Sequence, residues 1–170
     1  MEPRERGLTF TTPMVQAIEA DEKTVTRRIV TGKCPYLVGD LIYVKETYAF
    51  ARGWDAYPPR DVTHGATVWR GAQDDPTREN WVRGRWRSSR FMPRHLARIW
   101  LELLDIRAEH IQDIPVTDVA LEGIRCLGHT TVTPLEAFRL LWDEINPQPE
   151  RCFAGNPGVF RYEFRKVEHP

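Results

Sequence analysis

The sequence predicts one α+β domain, with short helices flanking a mostly antiparallel, barrel-like β-sheet. Two observations carry that expectation. Strand-like and helix-like segments succeed one another without the regular strand–helix–strand alternation that builds a parallel sheet. In the segment Val159 to Val167, Phe160, Tyr162 and Phe164 face one way while Arg161, Glu163 and Arg165 face the other, the period of a half-buried strand. A chain of 170 residues, 41% of them hydrophobic, buries one continuous core and is too short for two full domains.

The elements follow in order. After an apolar start at Leu8 to Phe10, Thr12 offers an N-cap, Pro13 suits the first helical position, and Met14, Val15, Ala17 and Ile18 give a short helix one apolar side. Gly39-Asp40 signals a turn, and Leu41-Ile42-Tyr43-Val44 opens a strand expected to reach about Tyr48. From about Phe50 to Pro93 the chain reads as a long irregular region with one short strand near Thr67 to Arg70; connections of that length are functional or partly disordered. Ile99, Leu101, Leu103, Leu104, Ile106 and Ala108 predict a long strand over Arg98 to Ile111, bulged where Leu103 and Leu104 break the alternation. Pro115, Val116, Val119 and Ala120 predict a short helix stopping near Gly123. Thr133-Pro134-Leu135-Glu136 is a capping box, and Leu135, Phe138, Leu141, Trp142 and Ile145 form the apolar stripe of the helix it opens.

No apolar run approaches the roughly 20 residues that cross a bilayer, and the N-terminus is charged where a signal peptide needs apolar residues. A soluble, cytoplasmic protein without a membrane partner is expected. Cys34, Cys126 and Cys152 are odd in number and far apart, with no C-x-x-C, so they read as reduced, incidental thiols, and nothing local ties one to His64, His95, His110 or His129. No metal site or cofactor is predicted. Formal net charge is zero, so whole-molecule attraction to nucleic acid is not predicted either. The distribution is uneven, however. Between Pro76 and Trp100 the chain carries Arg78, Arg83, Arg85, Arg87, Arg90, Arg94 and Arg98 against Glu79 alone, with Trp81, Trp86, Phe91 and Trp100 interleaved.

Three places hold candidate functional residues. Lys23-Thr24-Val25-Thr26-Arg27-Arg28 sets a lysine, two hydroxyls and two arginines at a helix–strand junction, where function concentrates. Thr26 is a nucleophile if Lys23, its pKa lowered by burial or by the arginines, removes its proton; a turn between the two is then required, because residues three apart do not share a face of a strand. The plainer reading is a solvated basic strand. Glu122, at a predicted helix end where the macrodipole disfavours a carboxylate, is a candidate proton donor to a leaving amine, or an exposed acid beside a turn. The basic, aromatic stretch supplies Trp86 and Arg94 as substrate-binding candidates, for base stacking and phosphate contact; its alternative is a loop whose tryptophans cap the core and whose arginines solvate it.

Taken together, Phe10-Thr11-Thr12-Pro13-Met14, the Lys23 to Arg28 segment, Gly39 to Glu46, Phe91-Met92-Pro93-Arg94, Ile111-Gln112-Asp113-Ile114 and Ala120-Leu121-Glu122-Gly123-Ile124 occur in an order that resembles the ASCH domain family, in particular its longer bacterial and phage-encoded branch. The resemblance spans nearly the whole chain, with an insertion at about 50–86. It implies a PUA-like barrel with flanking helices. It also implies kinship with amidohydrolases that remove acyl groups from the exocyclic amine of cytidine, N(4)-acetylcytidine being the reference substrate, through a Lys-x-x-Thr pair and a later glutamate. On this sequence those are Lys23, Thr26 and Glu122, acting without metal, and Arg28, two residues beyond Thr26, is expected to orient the nucleoside or steady the oxyanion. The partner would be a modified cytidine nucleoside or RNA. A non-catalytic RNA-binding module and a ribonuclease are the other functions compatible with the same basic cleft.

Overall fold

A computed structural model describes residues 3–62, 66–73, 82–124 and 132–168. Five strands make the main sheet: β1 (Glu5–Thr9), β2 (Val25–Ile29), β3 (Leu41–Lys45), β6 (Trp100–His110) and β7 (Gly158–Val167), in the order β1-β3-β6-β7-β2. Only β1 and β3 run parallel; every other pairing is antiparallel. β4 (Tyr48–Phe50) and β5 (Val68–Arg70) form a separate antiparallel pair. The helices are α1 (Thr12–Glu19), α2 (Val116–Leu121) and α3 (Pro134–Ile145). The α+β class is as the sequence predicts, but backbone pairing does not close the sheet into a barrel among the described residues: β1 and β2 are its two edges.

Local chemistry explains most boundaries. Thr133 caps α3 by accepting from the Glu136 amide at 3.2 Å. The cap of α1 is Thr11, one residue before the expected Thr12, and its side chain makes no capping bond. The register of β6 against β7 shifts between Leu103 and Asp105, so Leu104 is the extra, exposed residue of the predicted bulge. β3 stops at Lys45 instead of reaching Tyr48. Glu46 is buried there and accepts from Arg98 Nε at 2.7 Å, and that demand turns the chain into β4, where Tyr48, Ala49 and Phe50 are all buried.

Three clusters make up the core. Phe10, Val15, Ile42, Leu101, Leu103, Tyr162 and Phe164 fill the space between α1 and the sheet. Ile111, Ile114, Val119, Phe138, Trp142 and Val159 join α2 and α3 to the far end of β6 and β7. Tyr48, Phe50, Val62 and Met92 close a third, smaller core. The region that reads as irregular from Phe50 to Pro93 therefore has an apolar centre of its own.

Candidate functional site

The junction between α1 and β2 is held from both sides. Asp21 takes a left-handed conformation (φ 57°), and the amides of Glu22 and Lys23 both donate to the Ala17 carbonyl, at 2.9 and 3.1 Å. Thr24 N–H donates to the Leu121 carbonyl at 2.9 Å, tying the junction to the end of α2. Glu122 caps that helix, and Gly123 follows with φ 77°; a Cβ there would lie 2.8 Å from Ala17 Cβ and 3.0 Å from Lys23 Cβ. Glycine is required by both conformation and space. The turn made by this packing lies at Asp21, before Lys23, and not between Lys23 and Thr26 where the nucleophile reading requires one.

Lys23 is 2% exposed and Glu122 5% exposed, so neither the solvated strand nor the exposed acid describes them. Lys23 Nζ donates to Glu122 Oε2 at 2.7 Å and to the Val25 and Glu122 carbonyls at 2.8 Å each. Three acceptors around one nitrogen suit an ammonium. Burial nevertheless pulls its pKa below the usual lysine value; Glu122 opposes the shift, and Arg28 and Arg27 add to it.

β2 lies at the sheet edge, paired only with β7. Arg27 stands directly opposite Arg161, an arrangement of like charges that needs acids around it. Asp118 Oδ2 accepts from Arg27 Nη2 at 2.6 Å and from Arg161 Nε at 2.7 Å, while Glu109 and Glu122 accept from Arg27 at 2.6 and 3.0 Å. Arg161, expected on a polar outer face, is buried by this network. Burial pushes the Asp118 carboxyl up, but hydrogen bonds from Arg161 and Arg27 outweigh it and hold the group below the ordinary range. Sequence reasoning placed Arg27 in the basic Lys23 segment and Arg161 on an outer strand face, but it did not foresee their joint network, and Asp118 and Glu109 escaped it. The only signal for the network was the parity of two strands whose pairing was unknown.

Thr26 and Arg28 share the opposite face of β2, opposite Tyr162 and Phe160. Thr26 is 2% exposed, and its hydroxyl makes no hydrogen bond among the described residues. It lines a cavity of about 150 Å³ together with Arg27, Arg28, Ile29 and Glu122 on one side and Phe138, Leu141, Trp142 and Ile145 of α3 on the other. Phe164 N–H donates to the Thr24 carbonyl and Val30 N–H to the Gly158 carbonyl, so alternate residues 24, 26, 28 and 30 turn their backbone groups toward β7. The N–H and C=O groups of Arg27 and Ile29 consequently point off the sheet edge, on the side of α3.

Arg28 Nη2 donates to the Thr9 carbonyl at 2.5 Å, and its guanidinium lies 5.1 Å from the Phe10 ring centroid. Its Nε is buried without a partner, and it forms no ion pair with a carboxylate among the described residues. Burial pulls its pKa below the usual arginine value, opposed by Glu122.

The geometry thus joins Lys23 to Glu122 directly and sets Thr26, Glu122 and Arg28 around one cavity. Lys23 stands behind Glu122, outside the cavity wall, and no hydrogen bond links it to Thr26. Trp86 and Arg94 are not brought to this cavity. Trp86 lines a separate depression with Tyr57 and Phe91, and Arg94 pairs with Glu5 and lies over the Trp100 ring. Arg78, Trp81, Cys126, His64 and His129 lie outside the described residues. Cys34 and Cys152 are free thiols. Among the described residues there is no cluster of metal-ligating side chains, and no helix is long and apolar enough to cross a membrane.

Neither a family model nor a curated protein matches the chain. Solved structures do. An ASCH domain from Lactobacillus crispatus is similar at a TM-score of 0.52 and 12% identity, covering 98% of this chain and 81% of that one. A DUF984 protein from Enterococcus faecalis is similar at a TM-score of 0.50 and 9% identity, covering 100% of this chain and 86% of that one. The fold is that of an ASCH domain, as the order of sequence motifs implies. At these identities the likeness establishes the fold and leaves the chemistry to the site.

Proposed function

We propose that the chain is an amidohydrolase that removes acyl groups from the exocyclic amine of cytidine-type nucleosides, N(4)-acetylcytidine being the reference substrate. The observation that carries this reading is the buried Lys23–Glu122 pair, 2.7 Å from Nζ to Oε2, beside a cavity that Thr26 lines. The resemblance to small ASCH amidohydrolases assigns catalysis to these same three residues.

The steps follow from proton positions. One proton passes from Lys23 to Glu122 along their hydrogen bond, replacing two buried charges by two neutral groups. The free amine turns from the Val25 carbonyl and takes the Thr26 proton. The Thr26 oxygen bonds to the acyl carbon, the carbon–nitrogen bond to cytidine breaks, and Glu122 protonates the departing amine. Water then attacks the acyl-threonine ester; Glu122 takes the water proton, and Lys23 returns one to the Thr26 oxygen. Arg28, on the face of Thr26, steadies the oxyanion or orients the nucleoside. The apolar wall from α3 suits the acyl group, and the outward backbone groups of Arg27 and Ile29 suit a base edge carrying donors and acceptors.

One observation favours a second reading. All three N–H groups of Lys23 have acceptors and the Thr26 hydroxyl has no partner among the described residues, which suits a pocket that holds a ligand without turning it over, as in a non-catalytic RNA-binding module. Release of cytidine from N(4)-acetylcytidine, compared with Lys23→Ala, Thr26→Ala and Glu122→Ala, separates the two. Turnover lost in each variant supports the hydrolase; no turnover by the wild type over several acyl lengths excludes it. RNA cleavage that survives Thr26→Ala would point to a ribonuclease.

A further inference from the structure

The candidate cavity continues across the surface. Met14, Arg28 and Ile145 also form part of the wall of a second, more open depression of about 470 Å³, which ends at Ser89. Ser89 begins the short turn Ser89–Phe91, and its chain neighbour Ser88 lines a third depression of about 460 Å³ with Tyr57, Trp86 and Phe91. Three concave sites are thus linked, the first two by shared lining residues and the last two by the adjacent Ser89 and Ser88, from Thr26 to the region that the resemblance treats as an insertion.

The far end has an uncommon composition. Tyr57, Trp86 and Phe91 are 50, 46 and 66% exposed, and the Arg83 guanidinium lies 4.4 Å from the Trp86 ring centroid. Arg85 and Arg90 are exposed beside them and form no ion pair among the described residues, while the nearby Asp55 carboxylate is engaged by the Arg85 amide at 3.0 Å. Exposed aromatic rings interleaved with unpaired arginines suit a strand that offers base faces and phosphates alternately. Between the two ends stands Arg28, a half-buried cation whose Nε is unpartnered and which pairs with no carboxylate among the described residues.

We infer that the three depressions form one binding path for single-stranded RNA, with flanking bases on Trp86 and Phe91, a backbone phosphate at Arg28 and one base in the cavity beside Thr26. The substrate is then an acylated base within an unpaired strand. The identity of that base and of its sugar rests on the hydrolase reading; the path itself does not.

The full chain is tested with a fluorescein-labelled, unstructured ten-residue oligoribonucleotide, followed by anisotropy at two salt concentrations. Wild type is expected to bind with a clear salt dependence, and Trp86→Ala and Phe91→Ala each to weaken binding by about tenfold. In parallel, kcat/KM is measured for N(4)-acetylcytidine as the nucleoside and within the oligonucleotide. The oligonucleotide should be favoured by at least about tenfold, with Trp86→Ala driving the ratio toward one. Unchanged binding in both variants, tighter binding of the matching DNA or of duplex RNA, or a substrate ratio indifferent to Trp86→Ala overturns the inference. Binding that depends on Trp86 without turnover of either substrate removes the hydrolase and leaves the path standing.

Discussion

Arg28 of β2 donates to the carbonyl of Thr9, the last residue of β1, at 2.5 Å, so the two edges of the open sheet meet through a side chain. The same guanidinium borders both the candidate cavity and the depression next to it. Arg28→Met should therefore raise KM about tenfold or more, as expected for losing a hydrogen bond from a charged donor, which contributes about 1.5–3 kcal/mol. Arg28→Lys should not restore it, because one ammonium lacks the planar fork that serves two directions. Steady-state kinetics on N(4)-acetylcytidine decide the matter; equal KM values for the variants and the wild type would remove Arg28 from the site.

Thr26→Val keeps the β-branched shape that suits the strand while deleting the hydroxyl. With no hydrogen bond to lose, stability should change by less than about 1 kcal/mol, while turnover disappears. Thr26→Ser should retain part of the rate. A valine variant that still releases cytidine would show that the oxygen is not the nucleophile.

The depressed pKa of Lys23 makes its neutral form available at lower pH than for a free lysine. The rising limb of kcat/KM should accordingly have its midpoint below about 10.4. Stability carries the same signature. Between the folded pKa and the unfolded value the unfolded chain binds more protons, so stability rises with pH through that window. Lys23→Met should lose this slope in urea titrations.

Asp118 has the opposite limb. Its folded pKa lies below the unfolded one, so its contribution is complete above about pH 4 and is lost as pH falls through the folded value. Asp118→Asn should be less stable at pH 7 and show a smaller further loss on acidification. Chemical denaturation at pH 7 and pH 3 measures both.

Gly123→Ala combines a left-handed backbone with a Cβ 2.8 Å from Ala17 Cβ. Conformational strain and overpacking together predict a loss of about 2–4 kcal/mol. A midpoint shift in urea unfolding smaller than that of a typical surface substitution would contradict the packing described around Lys23.

The legible part of the molecule is the part written locally. The capping box at Thr133, the bulge at Leu103 and Leu104, and the stop at Gly123 each depend on a few adjacent residues, and each lies where the sequence puts it. The boundary of β3 was not legible, because the chain turns there for the buried Glu46–Arg98 pair, whose members are far apart in sequence. The site divides in the same way. Resemblance named Lys23, Thr26 and Glu122, and Lys23 meets Glu122 across 99 residues. The burial of Arg27 and Arg161 depended on which strand pairs with β2. Trp86 and Arg94 looked alike in a basic, aromatic stretch, but Arg94 is engaged with Glu5 and Trp100 while Trp86 stays exposed.

The outward backbone of β2 has a consequence for how the protein behaves among its own copies. An edge strand with free N–H and C=O groups is a template on which other chains add strands, the first step toward fibrils. Here α3 stands across the opening and Arg27, mid-strand, turns inward to a cage of acids. The gap of about 150 Å³ between them is too small for another strand with its side chains. The enclosure that the proposed function assigns to a ligand is thus also what keeps β2 from propagating a sheet.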